Sequence, residues 1–182
     1  MTLDVSPRTY RFLPADIMTS SYRVVGKIMV TNTGALAMLN DVTHSSMEIH
    51  DGRMARIHMP TKLVDHFDLI RMMKQQVVTV GLARNEDLGP QPLVRGGYSN
   101  IVEYPVRITT QMLEIEGTLE VPGRFDFTVL MTDGTRDFIP IFNATMAGTL
   151  LPNLRVESTT LLVNRHQIDF MALLSQRAKP QS

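Results

Sequence analysis

The sequence predicts an all-β protein built as two tandem small bent sheets or barrels related by internal duplication. Three observations predict it. A pattern recurs at near-constant spacing: Gly26 falls on Gly117, Gln76 on Gln167 and Val77 on Ile168, each at an offset of 91 residues. Between them Met54 and Ala55 fall on Met146 and Ala147, and Met59 and Pro60 on Leu151 and Pro152, at an offset of 92. Second, Leu113, Ile115, Leu119 and Val121 share one parity while Glu114, Glu116, Thr118 and Glu120 take the other, the period of a strand with one wet face. Third, Gly-Pro, Gly-Gly and Asp-Gly pairs break the chain into short pieces.

Residues 1–18 contain Pro7 and Pro14 and little periodicity, and they read as an N-terminal arm. The first repeat covers 19–85. Within it, residues 61–74 are ambiguous. Thr61 as a cap with Val64, Phe67, Ile70 and Met73 on one face would suit an amphipathic helix. The equivalent stretch in the second copy is β-branched at Val156, Thr159, Thr160 and Val163, which argues for a strand in both. Residues 86–105, with Gly89-Pro90 and Gly96-Gly97, read as a linker. The second repeat covers 106–175. After the strand ending at Pro122 and Gly123, residues 125–131 are rich in aromatic and β-branched types and read as a strand. Asp133 and Gly134 mark a turn, and Pro140 in the next strand signals an edge or a bulge. Strand-like stretches follow at 144–151, 157–164 and 167–173, and 176–182 is a polar tail. About five short strands per copy suit a small barrel of SH3 type.

Composition narrows function by exclusion. With no cysteine among 182 residues, disulfides, thiolate nucleophiles and Cys-ligated metals are impossible. The 18 basic and 18 acidic side chains cancel, so the basic excess typical of nucleic-acid binders is missing. The N-terminus lacks the basic and apolar regions of a signal peptide, and no apolar run is long enough to span a bilayer, so a cytoplasmic location is expected. Thirteen methionines suit irregular cores or adaptable contact surfaces.

The second copy carries Ile115-Glu116-Gly117-Thr118-Leu119, then Arg124-Phe125-Asp126, Phe138 to Ala144, and Asn164-Arg165-His166-Gln167-Ile168. Over about 55 residues it resembles a family of short bacterial β-domains of unknown function. The first copy fits more loosely, through Gly26, Asp41, Met54-Ala55 and Lys74 to Val77. The resemblance implies fold and repeat architecture and carries no activity or site residues. The glycine in the first strand of each copy is also similar to Sm-like RNA-binding barrels. The second copy departs from that pattern in having no Asp-x-x-Met-Asn loop, and Leu39-Asn40-Asp41 is a poor substitute in the first.

Few residues suggest chemistry. His44, His50, His58 and His66 lie at even spacings in the first copy and His166 in the second; a metal site would need three or four of them to converge. Carboxylates and serines are scattered without a general acid–base pair or a nucleophile elbow. Candidate binding-surface residues are Lys74, Arg165 and His166, at aligned turns before the last strand of each copy, and Arg95 with Tyr98 in the linker. The leading expectation is a non-catalytic scaffold or assembly protein acting through protein–protein contacts and self-association, with no cofactor. The alternative is an RNA- or nucleotide-binding regulator using those basic residues.

Overall fold

A computed structural model describes residues 9–97, 99–132 and 136–174. The architecture is all-β: ten strands in one antiparallel sheet, five before the central connection and five after. The first five are β1 (Arg11–Thr19), β2 (Tyr22–Val30), β3 (Ser46–Arg56), β4 (Leu63–Met73) and β5 (Val77–Leu82). The second five are β6 (Ile101–Thr110), β7 (Leu113–Pro122), β8 (Phe138–Gly148), β9 (Arg155–Asn164) and β10 (Ile168–Leu173). Three short helices intervene: α1 (Gly34–Asn40), α2 (Gln91–Val94) and α3 (Phe127–Met131).

The strand order across the sheet is β10-β6-β7-β8-β9-β5-β1-β2-β3-β4. Neither half closes into its own barrel, contrary to what the sequence suggests. Tight 3₁₀ turns at Lys74–Gln76 and Arg165–Gln167 separate β4 from β5 and β9 from β10. The free side of β5 is taken by β9 of the other half, with Val80 opposite Leu162 and Leu82 opposite Thr160. The sheet therefore stays open, with β4 and β10 at its ends.

Other boundaries also move. Residues 11–18 are not an arm: they form β1, between β2 and β5 in the sheet. Pro14 is tolerated because it faces Lys27 on β2 while pairing to β5 begins only at Ala15, so the missing N–H costs no ladder bond there. Ile101 to Pro105, expected in the linker, belong to β6 and pair with β7. Residues 127–131 are helical rather than extended, because Asp126 caps the turn by accepting from Thr128 N and Val129 N. Residues 63–73 are a strand, so the helical reading of that stretch fails. Pro140 lies inside β8, opposite Leu162 on β9 and beyond the last β7 pair at Phe142. The turn expected at Asp133 and Gly134 and the polar tail lie outside the described residues.

Packing makes two cores. One gathers Ile17, Ile28, Leu39, Ile49 and Val80, and it includes Phe138 and Leu162 from the second half. The other gathers Ile108, Leu113, Ile115, Ile141 and Val163, and it includes Met18, Ile57 and Val78 from the first half. The β5–β9 pair runs between them, so β5 is buried on both faces, and alternating residues of β9 (Leu161 and Val163 against Leu162) go to different cores.

Two glycines show why their positions admit nothing larger. A Cβ on Gly26 would lie 2.6 Å from Ile49 Cγ2 and 2.9 Å from His50 O; on Gly117 it would lie 2.5 Å from Ile141 Cγ2 and 3.0 Å from Phe142 O. Each sits at a register shift, between Val25 and Lys27 in one strand and between Glu116 and Thr118 in the other. Across from them, Asp51 (φ 53°) and Asn143 (φ 49°) are the non-glycine residues with left-handed backbone among those described.

Candidate functional site

Where the two halves meet, the 3₁₀ turns at Lys74–Gln76 and Arg165–Gln167 lie side by side. Each is docked by one backbone bond to the loop preceding a strand: Lys74 N donates to Ser45 O at 2.9 Å, and Arg165 N to Asp137 O at 2.8 Å. Side chains then join the turns. Asn164 Nδ2 donates to Val77 O at 2.9 Å, and Gln167 Nε2 donates to Gln75 O at 2.9 Å. Asn164 also accepts from His166 N and so caps its own turn. A cleft of about 650 Å³ opens here, lined by residues of both halves, among them His44, Lys74, Asp137 and His166.

Three of the basic residues expected at a binding surface, Lys74, Arg165 and His166, thus come together. None is a free cation. Lys74 is buried, and its ammonium donates to Met38 O at 2.7 Å and Asp41 O at 2.9 Å. Burial lowers its pKa, partly offset by the carboxylates of Asp41 and Asp137. Asp137 faces the other two: His166 Nε2 lies 2.9 Å from Asp137 Oδ1 and Arg165 Nη2 lies 3.4 Å from it. Arg165 Nε and Nη1 are buried without a hydrogen-bond partner. Arg95 stands apart, after α2, with Nη2 3.3 Å from Glu120. Tyr98 lies outside the described residues.

The first-half histidines go separate ways. His44 Nδ1 lies 2.8 Å from Asp41 Oδ2, His50 packs edge-on against Phe12 at 4.9 Å, and His66 Nε2 meets Asp51 at 2.7 Å. His58 occupies the turn after β3. Among the described residues no three His, Asp or Glu side chains are placed to hold a metal ion. No described helix is long and apolar enough to cross a membrane.

Asp41 is the anionic anchor of the cleft. The Thr43 hydroxyl (2.6 Å), the His44 ring and the Thr43 N–H (2.9 Å) all bond to its carboxylate and hold it well below the usual carboxylate range. Sequence reasoning missed Asn164, Asp137 and Asn40 as site residues. Asn40 bridges the halves, since its Nδ2 donates to Phe138 O at 3.2 Å and its Oδ1 accepts from Phe138 N at 2.8 Å. The Asn40 and Asn164 links join residues 98 and 87 positions apart, and Asp137 meets Arg165 and His166 across 28 and 29, so no local spacing announces them. The one available signal was the alignment of the two turns at an offset of 91.

Comparison with family models, with curated proteins and with solved structures finds no match.

Proposed function

We propose that this protein is a non-catalytic scaffold or assembly protein, built from two copies of one five-strand unit and acting through protein–protein contacts that include self-association. The observation that carries the reading is β4. It is an end strand of 11 residues on which Leu63, Val64, Phe67, Leu69 and Met73 are all exposed. Long edge strands that expose apolar side chains invite strand addition, and the charges also present on β4, Asp65, Asp68 and Arg71, leave that apolar surface uncovered.

Several correspondences support the two-copy part of the reading. Gly26 and Gly117 meet equivalent atoms, their neighbouring register shifts coincide, and Asp51 and Asn143 share the same rare backbone conformation. Pro14 and Pro105 stand at matching places in β1 and β6, each just outside the pairing with β5 or β10.

The test is the mass of the purified protein by light scattering at low and high salt. A defined oligomer, or a stable complex with a partner recovered from cell extract, is the expected result. A strict monomer without partner removes the reading.

The cleft at the paired turns favours a second reading, an RNA- or nucleotide-binding regulator that contacts its ligand through Lys74, Arg165 and His166. Against it, Lys74 is spent on carbonyls and Asp137 neutralises the other two. Phosphate binding would have to displace Asp137. Salt-dependent binding of a labelled oligonucleotide tests it, and no binding at low salt removes it.

A further inference from the structure

The internal junction between the two halves supplies a template for the contact between chains. In it, the fifth strand of the first unit, β5, pairs with the fourth strand of the second, β9: Thr79 faces Val163, Val80 faces Leu162, Gly81 faces Leu161 and Leu82 faces Thr160. The strands at the equivalent places are β10, the fifth of the second unit, and β4, the fourth of the first. These are the two strands left at the ends of the sheet, each with one side unpaired. A twofold relation between the units would have paired β4 with β10 inside the chain. Their separation at opposite ends means that the units are related head to tail, and a head-to-tail contact that does not close can be repeated by a further copy.

We infer that β4 of one copy pairs with β10 of the next, in the register of the β5–β9 junction, so that copies add head to tail. This rests on reading the chain as two copies of one unit. Carrying the internal register over by 91 residues places Phe170 opposite Met72, Met171 opposite Arg71, Ala172 opposite Ile70 and Leu173 opposite Leu69. The pattern of burial fits this register. At the internal junction, Leu161 and Val163 of β9 pack in their own unit's core, and so do Val80 and Leu82 of β5. At the open ends, Ile70 and Met72 of β4 already pack against the first core and Met171 of β10 lies in the second. Phe170 and Leu173 of β10, and Leu69 of β4, remain exposed at 54%, 44% and 44%.

Both fifth strands also carry a register shift at the same place, around Val78 against β1 and around Asp169 against β6. The two junctions differ in charge at two positions. Val78 and Leu162, which reach across into the neighbouring unit's core, are replaced by Asp169 and Arg71. Arg71 and Asp169 fall on opposite faces of the sheet, as Leu162 and Val78 do, and Arg71 already lies 3.1 Å from Glu48 on β3. The two charges make the contact between copies more polar at these positions than the internal junction, whose own polar members are Thr79 and Thr160.

The chain's lack of cysteine permits a direct test. Leu69→Cys and Leu173→Cys are made in separate chains, mixed and oxidised, with Leu69→Cys and Phe170→Cys as the out-of-register control. A cross-linked dimer from the first pair and little from the second is expected. Cross-linking of Leu69→Cys to itself, or a link within one chain carrying both substitutions, overturns the inference. So does an oligomer that shows no 69–173 link, although that result leaves the assembly reading standing; a monomer with no link removes both.

Discussion

One short helix follows the second strand of each half, α1 after β2 and α3 after β7, and the two are buried to very different degrees. In α1, Ala35, Leu36 and Leu39 are all within 5% of full burial. In α3 no residue is fully buried, and Phe127 and Val129 are 43% and 58% exposed. The sheet beneath them is similar, so the difference arises above it. Leu88, itself fully buried in the segment after β5, and Gly89 press against Gly34 at the start of α1, where a side chain on either glycine would collide with backbone. Lys74 and Asn40 fasten the other end of α1. Burial of a connecting helix is thus decided by what lies over it more than by its own apolar content.

The comparison can be broken, or sharpened, in four ways. Leu39→Ala should cost about 3 kcal/mol, because it removes a fully packed side chain, whereas Val129→Ala on α3 should stay within about 0.5 kcal/mol. Urea denaturation measures both, and similar values would end the distinction between a helix that plugs a core and one that rests on it. Next, Lys74→Met should cost about 2 kcal/mol, since the carbonyls of Met38 and Asp41 lose a charged donor. Its main effect should be faster amide exchange through residues 36–41. A smaller loss, about 1 kcal/mol, is expected for Asp126→Ala, which removes the cap of α3.

The smallest effect should be a pH dependence. Asp41 is held below its ordinary carboxylate range when folded, chiefly by the Thr43 hydroxyl and then by His44. The unfolded state therefore takes up a proton first on acidification. The contribution of Asp41 is complete above its unfolded pKa of about 4 and is lost as the pH falls through the lower folded value. Thermal melts of the wild type and Asp41→Asn between pH 7 and pH 3 should converge towards the acid end. Parallel curves would exclude Asp41 as the anchor of that loop.

Much of the strand content could be read locally. The alternation from Leu113 to Val121 became β7, and the β-branched run at 156–163 correctly decided that 63–73 is extended. Local pattern failed where a side chain or a distant strand decides. Asp126 turned an aromatic, β-branched stretch into helix by capping it. Pro14 disguised a central strand, because only the missing partner on one side makes a proline acceptable there. The open sheet was illegible for a further reason: whether β5 takes β4 or β9 as neighbour depends on contacts between halves, which no alternation within β5 encodes. The turns holding Lys74 and Arg165 were located from their alignment alone. That both cations are already engaged was not visible, because Met38, Asp41 and Asp137 reach them only through the fold.

The exchange of residues between the two cores has a consequence for how the chain may be divided. Phe138 and Leu162 complete the core of the first half, and Met18, Ile57 and Val78 complete that of the second. Neither half owns all the side chains it needs. A backbone cut between Gly96 and Gly97 should therefore leave two pieces that remain associated, and each piece made separately should gain its structure only on meeting the other. In folding terms the halves are partners in a heterodimer, joined by a connection that itself lends Leu88 and Val94 to the first core.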